Sequence, residues 1–495
     1  MAAISGPVHT HIICDGCGMN PIKGLRFKCN VCPDFDLCGQ CKEMGKHNQH
    51  EFTELKAIAE LVRAIAEKKS IVEIVRLSES AQVNRPIDDD LTTALMYCAR
   101  KHRNDALAVL LVHRHIDVHK QDKDGWTALH FAAATENLTA ANLLLASGAR
   151  VDVPDQNQAT PLHIACQTDN LDIIPVLLDA DANLVNAQTH EGYTPLMSAI
   201  YRSGVDDAKA VAVCQTLLAH DAARDAMNLN LQDENGDTML HYAARRECPG
   251  LRQLLIANGA RRDIMNDDGQ TADKLASTVR LVRSIKTDQP IDDIKRQIES
   301  SDVDVNGVYG HGQTPLMHSV DQHRNDVVAV LLAHKSIQVD KQDNDWWTAL
   351  HFAASKHNAA AARLLINANA RPDARDKKQA TPLHIACQTD NLDIIPVLLD
   401  ADANLVNAQT HEGYTPLMSA IYRSGVDDAK AVAVCQTLLA HDAARDAMNL
   451  NLQDEDGDTM LHYAARRECP GLRQLLIANG ARRDIMNDDG QTADK

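Results

Sequence analysis

The feature that most constrains this chain is a long stretch that it contains twice. Gln158–Lys274 returns as Gln379–Lys495, an offset of 221 residues, with one difference, Asn235 against Asp456. Self-similarity on this scale means repeated units, so the period is read before anything else. Inside each copy a shorter unit recurs at roughly 33 residues.

Each short unit opens on a turn pair such as Asp124-Gly125, Asn235-Gly236 or Asp268-Gly269, where glycine supplies positive φ. A threonine follows as helix N-cap. Proline is tolerated next, because the amide there has no helical partner. Leucines such as Leu143, Leu144 and Leu145 close a second helix, and Gly148 or Gly259 allows a left-handed C-cap. Units begin near Leu91, Asp124, Gln158, His190 and Asn235, with a degenerate one near Gly269. They restart near His311, Asp345, Gln379, His411 and Asp456.

The signature T-P-L-H-x-A stands at Thr160–Ala165 and again at Thr381–Ala386, and it resembles the ankyrin-repeat family. The resemblance implies an all-α solenoid of helix-turn-helix repeats with β-hairpin fingers, which binds proteins through its concave face and turn fingers. It also gives His130, His163, His241, His351, His384 and His462 a structural role, tying neighbouring turns by hydrogen bonds. We therefore expect no metal or catalytic use of these histidines.

Ahead of the repeats stand cysteine pairs at Cys14/Cys17, Cys29/Cys32 and Cys38/Cys41, then His47/His50. Two residues separate the members of each pair, a spacing that lets both reach one zinc ion from a tight turn. Eight ligands imply two Zn2+ ions. A module this small has little core, so it depends on metal for folding. Ile13-Cys14-Asp15-Gly16-Cys17 and Cys32-Pro33-Asp34-Phe35-Asp36-Leu37-Cys38 resemble a ZZ-type zinc finger. That resemblance implies cross-brace order: Cys14, Cys17, Cys38 and Cys41 on one ion, and Cys29, Cys32, His47 and His50 on the other.

The finger is similar to that of the sequestosome-type autophagy receptor, which grips a free N-terminal arginine. The matching positions are Asp15, Asp34 and Asp36, with Ile13 and Phe27 as an apolar wall. Carboxylates suit an ammonium or guanidinium through short charge-assisted bonds. Other ZZ fingers read the N-terminal alanine of histone tails. The pairing of ZZ and ankyrin modules resembles part of the Mind bomb type of ubiquitin ligase. No further series of paired cysteines follows that would make a RING finger.

The chain carries 50 Lys plus Arg against 68 Asp plus Glu, a net charge of −18, which argues against nucleic-acid or anionic-membrane binding. MAAISGPVHT has neither a basic nor an apolar segment of a secretory signal, and no apolar run has transmembrane length. The seven cysteines beyond the finger lie in helical patterns and read as small buried residues of a reducing compartment. A cytoplasmic location is expected, with the nucleus as the alternative.

The resulting organisation is a ZZ finger over 9–55, a helical cap over 56–90 and a first array over 91–277. A helical junction over 278–310 and a second array over 311–495, uncapped at its end, complete it. The early part of the two arrays has drifted and the late part has not. Tandem copying, gene conversion and a gene-assembly error all give that gradient. The fourth repeat has about five extra residues near Tyr201–Val205 and a long exit, Ala219–Glu234. Asp206-Asp207 reads as solvated loop charge. Trp126, Trp346 and Trp347 are candidates for holding a partner. Trp346-Trp347 replaces Gly125-Trp126, and tryptophan resists positive φ, so that turn should be strained or rebuilt.

No P-loop, G-x-S-x-G or H-E-x-x-H motif occurs. The expected function is a non-catalytic adaptor. Its finger recognises the free N-terminus of a peptide, and its repeats hold a second protein. A histone-tail reader and a substrate-recruiting part of a ubiquitin ligase complex are the alternatives.

Overall fold

The computed structural model describes residues 56–201, 207–422 and 428–494, together with the backbone of five short strands in the first 55 residues. These residues fall into two compact units, Met1–Arg261 and Arg262–Lys495.

In the first unit, two helices, Lys56–Ala66 and Ile71–Ser80, form the cap expected from apolar spacing at Ile58, Leu61 and Ile65. Helix pairs follow: Ala94–Arg100 with Asn104–Leu111, and Ala128–Ala134 with Leu138–Ala146. Next come Pro161–Gln167 with Ile173–Ala180, Pro195–Tyr201 with Asp207–Ala219, and Met239–Arg245 with Pro249–Ala257. The seam between pairs is lined by Leu129, Ala132, Ala133, Ala140, Ala141 and Leu144, all essentially inaccessible. Alanine lets helices approach closely, while each buried leucine contributes about 2 kcal/mol.

In the second unit, helix Ala272–Lys286 runs straight through position 277 and pairs with Ile291–Ile298. Five pairs follow, from Pro315–Asp321 with Asn325–Leu332 to Met460–Arg466 with Pro470–Ala478, around one continuous apolar core.

The first helix of a repeat is capped by threonine, as the sequence indicates, and these caps work in two ways. Where methionine follows three residues later, the hydroxyl accepts its amide, as Thr93 does from Met96 at 3.3 Å. Where histidine follows, its Nδ1 accepts the threonine amide instead, as His130 does from Thr127 at 3.1 Å. His130 Nε2 then donates to the carbonyl of Ala159 in the next repeat, 3.2 Å away. A carbonyl can only accept, so the proton sits on Nε2. His163, His351, His384 and His462 repeat the arrangement. Burial holds His130, His163, His351 and His384 neutral, with pKa values near 4.

Two features of the fourth repeat were not foreseen. The long exit holds a short helix, Asp221–Ala226, tied to the turn Ala182–Asn186 by Asn186 Nδ2 donating to Ala226 O at 2.7 Å. Asp207 is a cap, not a solvated charge. Its carboxylate accepts the amides of Gly250 and Leu251 at 2.7 and 2.8 Å, at the start of helix Pro249–Ala257. Asp206 and the extra residues around Ser203 lie outside the described residues.

Candidate functional site

Each unit carries a row of fingers along one edge of its repeats. A finger is fixed from its base by an aspartate whose Oδ1 accepts two amides of its own turn. Asp122 takes those of Asp124 and Trp126 at 3.0 and 2.8 Å. Gln121 Nε2 donates to Gly125 O at 2.7 Å in its own finger and to Pro154 O at 2.8 Å in the next. A backbone bond then joins tip to tip: Gln156 N–H to Asp124 O, His190 N–H to Asn157 O, Glu234 N–H to Glu191 O. Asp343, Gln342 and the tips from Asn344 onward do the same in the second unit. The row is thus pre-organised, which lowers the entropy lost when a partner docks.

The three tryptophans occupy two different environments. Trp126 is half-buried: its ring stacks on His130 at 5.9 Å, meets Phe131 edge-on at 5.1 Å, and donates from Nε1 to Asp155 at 3.3 Å. Trp347 stands at the same place, stacked on His351 and edge-on to Phe352. These two rings close their own repeats. Trp346 takes the position of Gly125, remains 48% exposed and makes no ring contact among the described residues. The turn is strained rather than rebuilt. Trp346 keeps a φ of 64°, and the bonds Trp346 N–H to Asp343 O and Asp343 N–H to Trp347 O reproduce those around Gly125.

Below the tips of the first unit lies a cleft of about 550 Å³ lined by Asp124, Trp126, Gln156, Asn157, Glu191 and Tyr193 among others. A larger one, about 810 Å³, separates the cap from the first repeat, and its lining includes both Glu79 and Arg114.

At the N-terminus, β1 (Val8–His9) pairs with β2 (Ile22–Lys23), and β3 (Arg26–Cys29) pairs with both β4 (Asp36–Cys38) and β5 (Phe52–Glu54). The register sets Asp36 opposite Lys28, Leu37 opposite Phe27, and Cys38 opposite Arg26. Cys29 and Cys38 therefore stand at opposite ends of the paired strands, about 10 Å apart along them. Cys29 pairs with Phe52, two residues after His50. Six thiols and two imidazoles form a donor set suited to zinc. Ile13, Cys14, Asp15, Cys17, Cys32, Asp34, Cys41, His47 and His50 lie outside the described residues. Among the described residues no other cluster of metal-ligating side chains occurs, and no helix is long and apolar enough to cross a membrane.

Direct reading of the sequence missed Arg375, Lys377 and Lys378, which take the positions of Pro154, Gln156 and Asn157. Aligning the two copies at their offset would have found them.

Comparison with known proteins agrees with this architecture. The model for ankyrin repeats in three copies matches residues 61–155, 136–226, 281–376 and 369–447. The model for the ZZ-type zinc finger matches residues 8–53, which makes this segment a zinc-binding module. Protein ref(2)P of Drosophila simulans is 46% identical over 43 residues, 9% of this chain and 7% of that protein. The E3 ubiquitin-protein ligase MIB2 of Gallus gallus is 48% identical over 48 residues, 10% and 5% of the two. Neurogenic locus notch homolog protein 1 of Cricetulus griseus is 31% identical over 174 residues, 34% and 6%. The chain thus spans less than a tenth of each of these relatives.

Proposed function

The chain belongs to the ankyrin-repeat family, and from that premise we propose that it is a non-catalytic adaptor that holds two proteins at once. The observation that carries the reading is the junction, in one chain, of a ZZ finger with a row of locked, solvent-facing fingers. The organisation follows the boundaries 9–55, 56–90, 91–277, 278–310 and 311–495, except that the first helix of the junction begins at Ala272, ahead of position 278, and the protein works in the cytoplasm.

The zinc finger binds two ions in cross-brace order. The strand register supports this, because Cys29 and Cys38 sit at opposite strand ends while the chain from His50 leads to the Cys29 end. Its ligand is the free N-terminus of a peptide, above all one that begins with arginine. Asp15, Asp34 and Asp36 receive the ammonium and first side chain, with Ile13 and Phe27 beside them. The support for this assignment is the resemblance of the finger's motif residues to the sequestosome-type autophagy receptor. A second reading, favoured by the likeness to MIB2, makes the chain the substrate-recruiting part of a ubiquitin ligase complex.

The test uses the zinc-loaded full chain against peptides beginning with free Arg, Lys, Phe or Ala, each also N-acetylated. Binding to free Arg that is lost on acetylation and in Asp34→Ala supports the reading. Preference for the Ala peptide, styled on a histone tail, moves the protein to chromatin. Absence of binding to any free terminus refutes the role given to the finger.

A further inference from the structure

The two units share a scaffold, so the places where their exposed tips differ isolate what each surface recognises. In the first unit the tips run Lys123-Asp124-Gly125, Gln156-Asn157, His190-Glu191 and Glu234-Asn235. In the second they run Asn344-Asp345-Trp346, Lys377-Lys378, His411-Glu412 and Glu455-Asp456. One finger thus exchanges Pro154, Gln156 and Asn157 for Arg375, Lys377 and Lys378, and its neighbour exchanges glycine for an exposed tryptophan. The two fingers are adjacent, joined by Lys377 N–H donating to Asp345 O at 3.1 Å.

Internal packing does not account for these residues. A tryptophan at positive φ is strained, and half of its surface remains in water. Lys378 is exposed and has no carboxylate partner among the described residues. Lys377 faces Asp345 at 3.9 Å with both groups largely exposed, an ion pair that gives way to a better anion. Arg375 alone is committed, donating from Nη1 to Gln379 O and Gln409 O at 2.9 and 2.8 Å and so holding its finger to the next.

From this we infer that Trp346, Lys377 and Lys378 form a docking point, present in the second unit and absent from the first, for an acidic peptide segment bearing one large apolar side chain. The lysines receive its carboxylates and the indole covers the apolar group. The tips beyond, Glu412, Glu455 and Asp456, are exposed acids that repel a long polyanion, so a short acidic stretch of a protein fits and a nucleic acid does not. The inference rests on the reading of the repeats as the arm that holds a second protein.

The test is fluorescence anisotropy of labelled, N-acetylated peptides on the zinc-loaded full chain. The first probe is a run of glutamates around one leucine. The second replaces the glutamates with lysine, and the third replaces the leucine with serine. Acetylation hides these probes from a finger that reads free termini, so a failure here leaves that reading intact, and the converse also holds. The first probe should bind, weaken at raised salt, and lose at least tenfold in the triple variant W346G/K377Q/K378N. Each substitution installs the first unit's own residue, so the turn retains a proven sequence, and a thermal melt verifies it. Equal binding by wild type and triple variant, preference for the lysine peptide, or no binding of the first probe would each overturn the inference.

Discussion

At the same point of the same hairpin the first unit has Gly125 at a φ of 82° and the second has Trp346 at 64°. Around both, the aspartate base, the glutamine bridge and the tip-to-tip amide are kept. A residue that the backbone disfavours has been accommodated without changing the turn. The finger geometry is therefore over-determined by its polar base, and its tip is free to vary. Farther along, where the sequences coincide, so do the contacts. Asp207 and Asp428 cap their helices at nearly the same distances, 2.7 and 2.8 Å against 2.6 and 2.8 Å.

The largest expected difference between the units is in acid. Burial holds His130 and His163 near pKa 4 in the first unit, and His318, His351 and His384 there in the second. His318 replaces Tyr97, and Lys286 adds to the depression. Because folding lowers these values, protons favour the unfolded chain. Stability is full above about pH 6.5, the unfolded value, and declines as pH falls towards 4. Each histidine removes about 2 kcal/mol at pH 5. The second unit should melt first on acid titration, and His318→Tyr should bring it level with the first. A first unit that melts earlier breaks the comparison.

Next in size is the glycine exchange. A Cβ at Gly125 would lie 2.7 Å from the Gln156 amide nitrogen. Gly125→Trp should lower the stability of the first unit by about 2 kcal/mol, whereas Trp346→Gly should raise that of the second by about 0.5–1 kcal/mol. Denaturant melts followed by circular dichroism measure both, and a loss in Trp346→Gly would mean that the indole packs after all.

The duplicated caps offer a sharper control. Asp207→Ala and Asp428→Ala should each cost about 1–2 kcal/mol, and equally so. Unequal losses would show that identical sequence does not confer identical packing here.

The smallest effect belongs to Lys356–Asp321, an ion pair at 2.8 Å that stands where the first unit has Thr135 and Arg100. Lys356→Thr should change stability by less than about 0.5 kcal/mol, the usual worth of a partly exposed pair.

What was legible in the sequence was mostly local. The glycines at hairpin tips and the threonine caps lie within a few residues of the turns they set, whereas the histidine ties span about thirty residues and were legible only through the T-P-L-H-x-A signature. The buried cysteines were legible too, and burial raises the thiol pKa values of Cys98, Cys214 and Cys435 to about 12. What escaped was non-local or weakly patterned. Asp207 caps a helix whose first residues lie more than forty positions away. The helix Asp221–Ala226 reads DAARDA, with too little apolar periodicity to announce itself. The tryptophans looked alike in the sequence, yet one residue of register separates rings packed in the repeat from a ring left in water.

The adaptor account requires two ligands to occupy one chain together. The most direct measurement is a calorimetric titration of the zinc-loaded protein with a free-Arg peptide, alone and with the acetylated acidic peptide at saturation. The account predicts the same affinity and a stoichiometry of about one in both titrations. Loss of the first ligand when the second is saturating, or failure of the two to bind together, would contradict it.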